Sequence, residues 1–293
     1  EHDVLAFSIG YEMAYSTVLD MMDMAGIPIH SADRKTLLPL VIAGGTAALN
    51  PEPMADFIDI FLLGEGEEMN NELLALLRTA KAEGWSKQDF LEKASRIGGV
   101  YVPSFYKPVY NDDCTINHFD VHPGAPEKVT KRIIADMNSV HFPLSPIVPS
   151  TEVVHDRVNL ELFRGCVRGC RFCQAGHVYR PIRAKSPELL AEQGKALLKN
   201  TGCQDITLLS LSSSDYRCLS ELCDELLGYC EPRSIGLSLP SLRADNFSMD
   251  IMHRIQKTRK SGLTFAPEAG SQRLRDAINK NVTEEDLLHT CRL

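Results

Sequence analysis

Three cysteines, Cys166, Cys170 and Cys173, fall within eight residues of the segment ELFRGCVRGCRFCQAG (161–176). Thiolates are nucleophiles, redox partners and soft metal ligands, so three in such proximity invite a chemical reading. Their i, i+4, i+7 spacing is also one face of a helix and would suit a stripe of core. Gly165 and Gly169 argue against a helix, where each costs roughly 1 kcal/mol relative to alanine, and Arg164, Arg168 and Arg171 argue against a buried stripe. Structural zinc asks for four ligands in a closed tetrahedron, yet no second CxxC or HxxxH pair is present and His177 is the only close candidate. A disulfide redox pair would use Cys170 and Cys173 and leave Cys166 unexplained. Three thiolates on a [4Fe–4S] cube leave one iron open to a ligand that is not protein, which a reactive cluster requires. An open [4Fe–4S] cluster is the leading reading, with zinc and a core stripe as its alternatives.

Charge is unevenly placed. The chain carries a net −8 at pH 7, which argues against a general nucleic-acid binder. Residues 1–100 hold 16 Asp/Glu against 7 Lys/Arg, whereas residues 164–185 hold six Arg/Lys and no carboxylate. That basic collar suits an anionic cofactor or substrate, or else it is a solvated loop. His177, Tyr179, Arg180 and Arg183 follow the cysteines, where each either faces a substrate or is simply packed or solvated, the plainer reading. Ser212 to Ser214 lack a GxSxG elbow, so serine hydrolase chemistry is not expected.

The elements that must position these residues are read from periodicity. Strand-like runs at 4–10, 39–45 and 58–64 alternate with helices at about 13–24 and 67–84, the latter closed by Gly84, and predict a parallel sheet of the doubly wound kind. Ligands of such sheets lie at the strand carboxyl ends. Those ends carry Gly44 and Gly45, then Gly64, Glu65 and Gly66, which serve either close approach to a cofactor or plain turn geometry. Residues 97–150 read as a β-rich connector and a proline-rich linker. Beyond it, strands at 157–163, 205–211, 234–240 and 262–268 alternate with helices at about 187–200, 216–230 and 248–260 and after 268, the spacing of a β/α barrel or part of one. The expected organisation is residues 1–96, 97–150 and 151–293, with both outer parts incomplete. Nine cysteines, an odd number spread over a large domain, predict reduced cytosolic thiols, and no apolar run approaches the ~20 residues of a membrane span. Neither a leader nor a cleavage site is evident, so a cytoplasmic location is expected.

C-x3-C-x2-C with an aromatic before the last cysteine, on the loop after the first barrel strand, resembles the radical S-adenosylmethionine (SAM) superfamily. The resemblance implies a [4Fe–4S] cluster on Cys166, Cys170 and Cys173, SAM chelated to the open iron, reductive cleavage to a 5′-deoxyadenosyl radical, oxygen sensitivity, and a flavodoxin- or ferredoxin-type electron donor. It implies cofactor contacts at Phe172 near the adenine, at Ser210 in SLSSSDY (210–216) where a Gly-Glu is usual, and at Ser238 and Arg243 in SLPSLRAD (238–245). FAPEAGSQRLRDAINKNVTEEDL (265–287) is similar to a stretch of cobalamin-type members of the superfamily, with Glu268 and Gly270 as matching positions. The strand–GG–strand–GEGE pattern resembles their Rossmann-like cobalamin-binding domain. RGCxRGCRFCQAGxxYRPxR and NPEPxADFID extend the resemblance over nearly the whole chain. The Asp-x-His-x-x-Gly motif that gives cobalt a lower histidine is absent. The fold implied is α/β, a Rossmann-like cobalamin-type domain followed by a truncated β/α barrel. The activity implied is SAM cleavage with cobalamin-dependent methyl transfer; the alternatives are methylthiolation of RNA or protein without cobalamin, and a non-enzymatic cobalamin or Fe–S sensor.

Overall fold

The computed structural model describes residues 2–246, 249–258 and 263–293 and divides into two units, Glu1–Ile134 and Ala135–Leu293. In the first unit β1 (Val4–Ser8), β2 (Leu40–Gly44) and β3 (Ile60–Leu62) are parallel, with α1 (Tyr15–Met24) between the first two. After β3 come α2 (Gly66–Glu83) and α3 (Lys87–Ala94), then β4 (Val100–Tyr101), which returns antiparallel to β3. The order β1-β2-β3-β4 is sequential. Three parallel strands, with a helix between the first two and an antiparallel fourth strand, make this an α/β unit as the alternation of strands and helices predicts. The helices form where the sequence places an apolar stripe. In α2 Met69, Leu73, Leu77 and Ala80 recur at helical spacing and are buried, and Gly84 ends the helix in the left-handed conformation at φ 67°. The stretch expected to connect the two halves forms a hairpin within this unit, β5 (Tyr106–Tyr110) against β6 (Ile116–Val121).

A buried ion pair closes the first unit's core. Asp59 accepts from Ser31 Oγ at 2.6 Å, Lys87 Nζ at 2.7 Å, the Val41 N–H at 2.9 Å and Arg34 Nε at 3.2 Å. Burial pushes the carboxyl up, but donation by Arg34, Lys87, Ser31 and Val41 outweighs it, and Asp59 titrates below its ordinary value.

In the second unit β7 (Val158–Glu161), β10 (Asp205–Leu209) and β11 (Gly236–Ser238) form a parallel sheet in the order β11-β10-β7. Between β7 and β10 lie the short pair β8 (Phe163–Arg164) and β9 (Arg183–Ala184), the one-turn α4 (Ala175–Val178) and the long α5 (Pro187–Thr201). Then come α6 (Leu219–Cys230), α7 (Met249–Thr258), α8 (Gln272–Ala277) and α9 (Glu284–Arg292). Ser186 caps α5, Pro187 occupies its first turn and Gly202 ends it. At Gly194 a β-carbon would lie 3.1 Å from both Ile206 Cδ1 and Leu226 Cδ2, so the glycine lets α5 seat closely on β10 and α6. The strand expected at 262–268 does not form over 263–267, and Gly262 lies outside the described residues. Pro267 offers no N–H, and Glu268 has φ 67°, so the run is turned away from strand geometry at its end. Residues 248, 259 and 260 of the helix expected at about 248–260 likewise lie outside the described residues.

Candidate functional site

The three cysteines lie on an irregular loop, 165–174, between β8 and α4, and it follows the first strand of the parallel sheet as the sequence predicts. β8 and β9 pair antiparallel, Phe163 with Ala184 and Arg164 with Arg183, which draws the two ends of the longer excursion 165–182 together. Gly165 opens the loop at φ 94°, and a β-carbon there would lie 2.7 Å from Pro181 O and 2.8 Å from Tyr179 O. Only glycine fits this turn. Cys170 is buried, Cys166 and Cys173 are half-buried, and all three are free thiols. The Cys173 N–H donates to Cys170 O at 3.1 Å.

Four other segments hold the loop. Arg168 donates from Nε to Asp215 Oδ2 at 3.0 Å, from Nη2 to Asp215 Oδ1, and from Nη1 to Asp245 Oδ2 at 3.0 Å. Asp215 closes a 3-10 turn after β10, and Asp245 is the middle residue of another after β11. Burial raises the Asp215 carboxyl, but Arg168, Ser212 and Asn246 together outweigh this and leave it below its ordinary value. Asn279 Nδ2 donates to Gly169 O at 2.8 Å, and the Arg171 N–H donates to Ile278 O at 2.9 Å. Arg180 Nη2 donates to Arg168 O at 2.9 Å.

Every cation of the basic collar has a partner within the protein. Arg164 pairs with Glu161 at 2.9 Å, Arg168 with two aspartates, and Arg171, Arg180 and Arg183 donate to backbone carbonyls. Lys185 is buried against Gln193 and the Phe142 ring. Arg171 and Arg180, by contrast, remain exposed while they brace the backbone. Of the expected contacts, Phe172 leaves its ring largely exposed, with Lys280 Nζ 5.9 Å from its centroid. Ser210 shares a hydrogen bond of 3.0 Å with Ser213 at the end of β10, and Ser238 ends β11. Arg243 is no surface cation: its side chain is 9% exposed, donates to Asp245 at 2.8 and 3.1 Å, and reaches Lys280 O at 2.7 Å. Glu268 accepts from Lys280 Nζ at 3.0 Å. Arg275, buried, donates to Ala269 O and Gly270 O, shaping the loop that carries Glu268 and Gly270.

In the first unit Gly44, Gly45, Gly64 and Gly66 line a cavity of about 530 Å³ whose other walls include Ala6, Ile42, Leu62 and Leu73. Turn geometry accounts for two of these glycines. A β-carbon on Gly45 would lie 2.6 Å from Ile9 O, and one on Gly64 would lie 2.1 Å from Arg132 O. Glu65 is turned to a structural use, accepting from the Ile134 N–H at 2.6 Å. Arg132, which sequence reasoning passed over, runs beside Gly64 and donates to Glu68 and Glu72 at 2.7 and 2.8 Å.

The donor set fits an iron–sulfur cluster: three free thiolate-forming side chains, on one loop whose backbone shape is fixed from outside. Among the described residues no group of three or more His, Cys, Asp and Glu side chains is gathered to hold a metal ion, so the three thiols share one loop without converging on one point. Cys223 and Cys230 are core residues of α6, their thiols pushed up by burial to about 12 and about 11.

Comparison with known proteins bears on the same residues. Residues 1–103 match the family model described as radical SAM proteins, N-terminal, and residues 160–293 match that of the radical SAM superfamily. An uncharacterized protein of Methanocaldococcus jannaschii is 31% identical over 253 residues, 85% of this chain and 47% of its own. A second protein of that organism, provisionally named a methylthiotransferase, is 26% identical over 148 residues, 46% of this chain and 32% of its own. A solved structure of the radical SAM methyltransferase TsrM from Kitasatospora setae, with cobalamin and a [4Fe–4S] cluster bound, superposes with a TM-score of 0.57 at 13% identity, covering 99% of this chain and 54% of that one. Another, with tryptophan and a SAM analogue bound, gives the same TM-score and identity over 100% of this chain and 55% of that one. The chain spans about half the length of these proteins or less.

Proposed function

The chain belongs to the radical SAM superfamily of enzymes, and from that premise we propose that Cys166, Cys170 and Cys173 hold a [4Fe–4S] cluster at which S-adenosylmethionine is cleaved reductively. The family implies both cofactors. The observation that carries the reading is the loop itself: three free thiols after the first strand of a parallel sheet, at the rim where β/α arrays build their chemistry. Such a cluster, when bound, supplies the electron that breaks the C–S bond of SAM to give methionine and a 5′-deoxyadenosyl radical.

The chain's own residues bind and orient. Gly165 and the β8–β9 pair set the loop's entry, and Phe172 offers an exposed ring face for an adenine to stack on. Ser210 and Ser238 stand at the ends of β10 and β11 as hydrogen-bonding groups for the polar end of SAM. Arg243 and Glu268 are engaged in ion pairs, so their part is to hold Asp245 and Lys280 in place. The electron comes from a flavodoxin- or ferredoxin-type donor, and the enzyme works in a reducing, cytoplasmic setting and is oxygen-sensitive, as its free cysteines suit. No described helix is long and apolar enough to cross a membrane.

We assign the first unit a Rossmann-like, cobalamin-type role, supported by the largely apolar cavity at the carboxyl ends of β2 and β3 and by the cobalamin-bound relative. Methyl transfer to a carbon centre follows from that assignment. Methylthiolation is the second reading, favoured by the relative that carries that name. The test is an anaerobic incubation of the reconstituted protein with dithionite and SAM. The expected result is 5′-deoxyadenosine and methionine in equal amounts, absent in Cys170→Ala. A fully loaded protein that makes neither is the non-enzymatic sensor instead.

A further inference from the structure

We infer that Arg168 is a positioning residue which, gripped by Asp215 and Asp245, locks the three-cysteine loop onto the carboxyl ends of β10 and β11. The loop has no helix or strand of its own over 165–174, so its shape is imposed by what grips it. Arg168 sits midway between Cys166 and Cys170, and its side chain is 23% exposed. Its fork takes both oxygens of Asp215 and still reaches Asp245 at 3.0 Å. A planar guanidinium can make that three-point contact, whereas a lysine ammonium cannot make the fork.

The acceptors are themselves held. Asp245 is braced by Arg243, which also donates to Lys280 O at 2.7 Å, and Asn246 Nδ2 donates to Ser214 O at 2.6 Å. The Ser213 N–H donates to Ser241 O at 2.9 Å, linking the two strand ends directly. The loop's near side is tied by Arg180 to Arg168 O and its far side by Asn279 to Gly169 O. Asp215 lies within SLSSSDY (210–216), so one guanidinium joins the cysteine loop to the stretch assigned to SAM. That second consequence rests on the cluster reading; the tether does not.

The first measurement uses the metal-free full chain under reducing conditions, with alkylation by N-ethylmaleimide followed cysteine by cysteine by mass spectrometry. Arg168→Gln is expected to raise the rates at Cys166 and Cys170 at least tenfold while leaving exposed Cys114 and Cys291 unchanged. Asp215→Asn should do the same to a lesser degree, because Asp245 still holds the arginine. The double variant should exceed Arg168→Gln by little, since both act through one contact. Unchanged rates at Cys166 and Cys170, or effects that multiply as though independent, overturn the proposal. Should Arg168→Gln also expose Cys223 and Cys230, the unit has opened and Arg168→Lys becomes the test. It is expected to speed Cys166 and Cys170 severalfold with Cys223 and Cys230 still protected, and wild-type rates overturn the proposal. In the reconstituted protein, Arg168→Lys should keep its iron but weaken SAM binding tenfold or more, a split that a merely stabilising residue would not give. Faster labelling in a protein whose wild type takes up no iron keeps the tether and removes the cluster reading.

Discussion

Replacing Gly165 by alanine separates the geometry of the cysteine loop from general stability. The residue has φ 94°, and its new β-carbon would stand 2.7 Å from Pro181 O and 2.8 Å from Tyr179 O. Both are backbone atoms, so relief requires moving the chain that leads into β9. The left-handed backbone costs alanine about 1–2 kcal/mol, and forcing a methyl into a packed contact adds about 1–3 kcal/mol. Gly202 is the control: φ is 74°, but nothing lies within 4 Å, so alanine there meets only the first cost. With a urea slope of about 2 kcal/mol per M, a loss of about 3 kcal/mol moves the midpoint by about 1.5 M, against about 0.5 M for a loss of about 1 kcal/mol. Circular dichroism across a urea titration reads both, and iron content after reconstitution reads the loop. Gly202→Ala should keep full iron and Gly165→Ala should lose most of it. Equal midpoints for the two variants, or full iron in Gly165→Ala, would refute the reasoning.

Other outcomes follow from the same geometry. Cys170→Ala abolishes iron uptake, whereas Cys203→Ala, Cys218→Ala, Cys223→Ala and Cys230→Ala retain it, measured as iron per chain; loss of iron in any of these four contradicts the ligand set. Asp59 titrates below its ordinary value, so it contributes stability above the unfolded carboxylate pKa, and this is lost as pH falls through its lower folded value. Asp59→Asn should therefore cost about 3 kcal/mol near neutrality, by stranding Arg34 and Lys87, and should flatten the acid limb of a melting profile. Ser86→Ala removes the capping box of α3, in which Ser86 Oγ accepts from the Asp89 N–H, and should cost about 1 kcal/mol in thermal unfolding.

Long elements were legible in the sequence because several signals agreed. The apolar periodicity of 67–84 closed by Gly84 predicts α2, and a helix is expected at about 187–200, where α5 forms with Ser186, Pro187 and Gly202 at its ends. α3 was missed although Ser86 and Asp89 gave its cap, because eight residues with one apolar stripe are easily read as part of a loop. A fourth strand was expected where Leu263, Thr264 and Phe265 supply β-formers. The chain instead runs on to Pro267 and a left-handed Glu268, and a short apolar run does not by itself say whether a ladder partner exists. For the site, spacing and glycines singled out the three cysteines. Sequence alone could not show that Arg168 of the basic collar is held by two carboxylates, since Asp215 and Asp245 lie 47 and 77 residues away. A separation of 110 residues likewise hides the grip of Asn279 on Gly169. The glycines of the first unit were visible, but the use of Gly64 to pass Arg132, and of Glu65 to hold Ile134, depends on a segment about 70 residues away.

The central claim is that Cys166, Cys170 and Cys173 carry a cluster with one iron open to S-adenosylmethionine. Electron paramagnetic resonance of the anaerobically reconstituted, dithionite-reduced protein, recorded with and without SAM, tests it most directly. The expected result is a [4Fe–4S]⁺ signal whose g-values shift when SAM is added and which is lost in Cys170→Ala. A protein that takes up no cluster, or whose signal is indifferent to SAM, would contradict it.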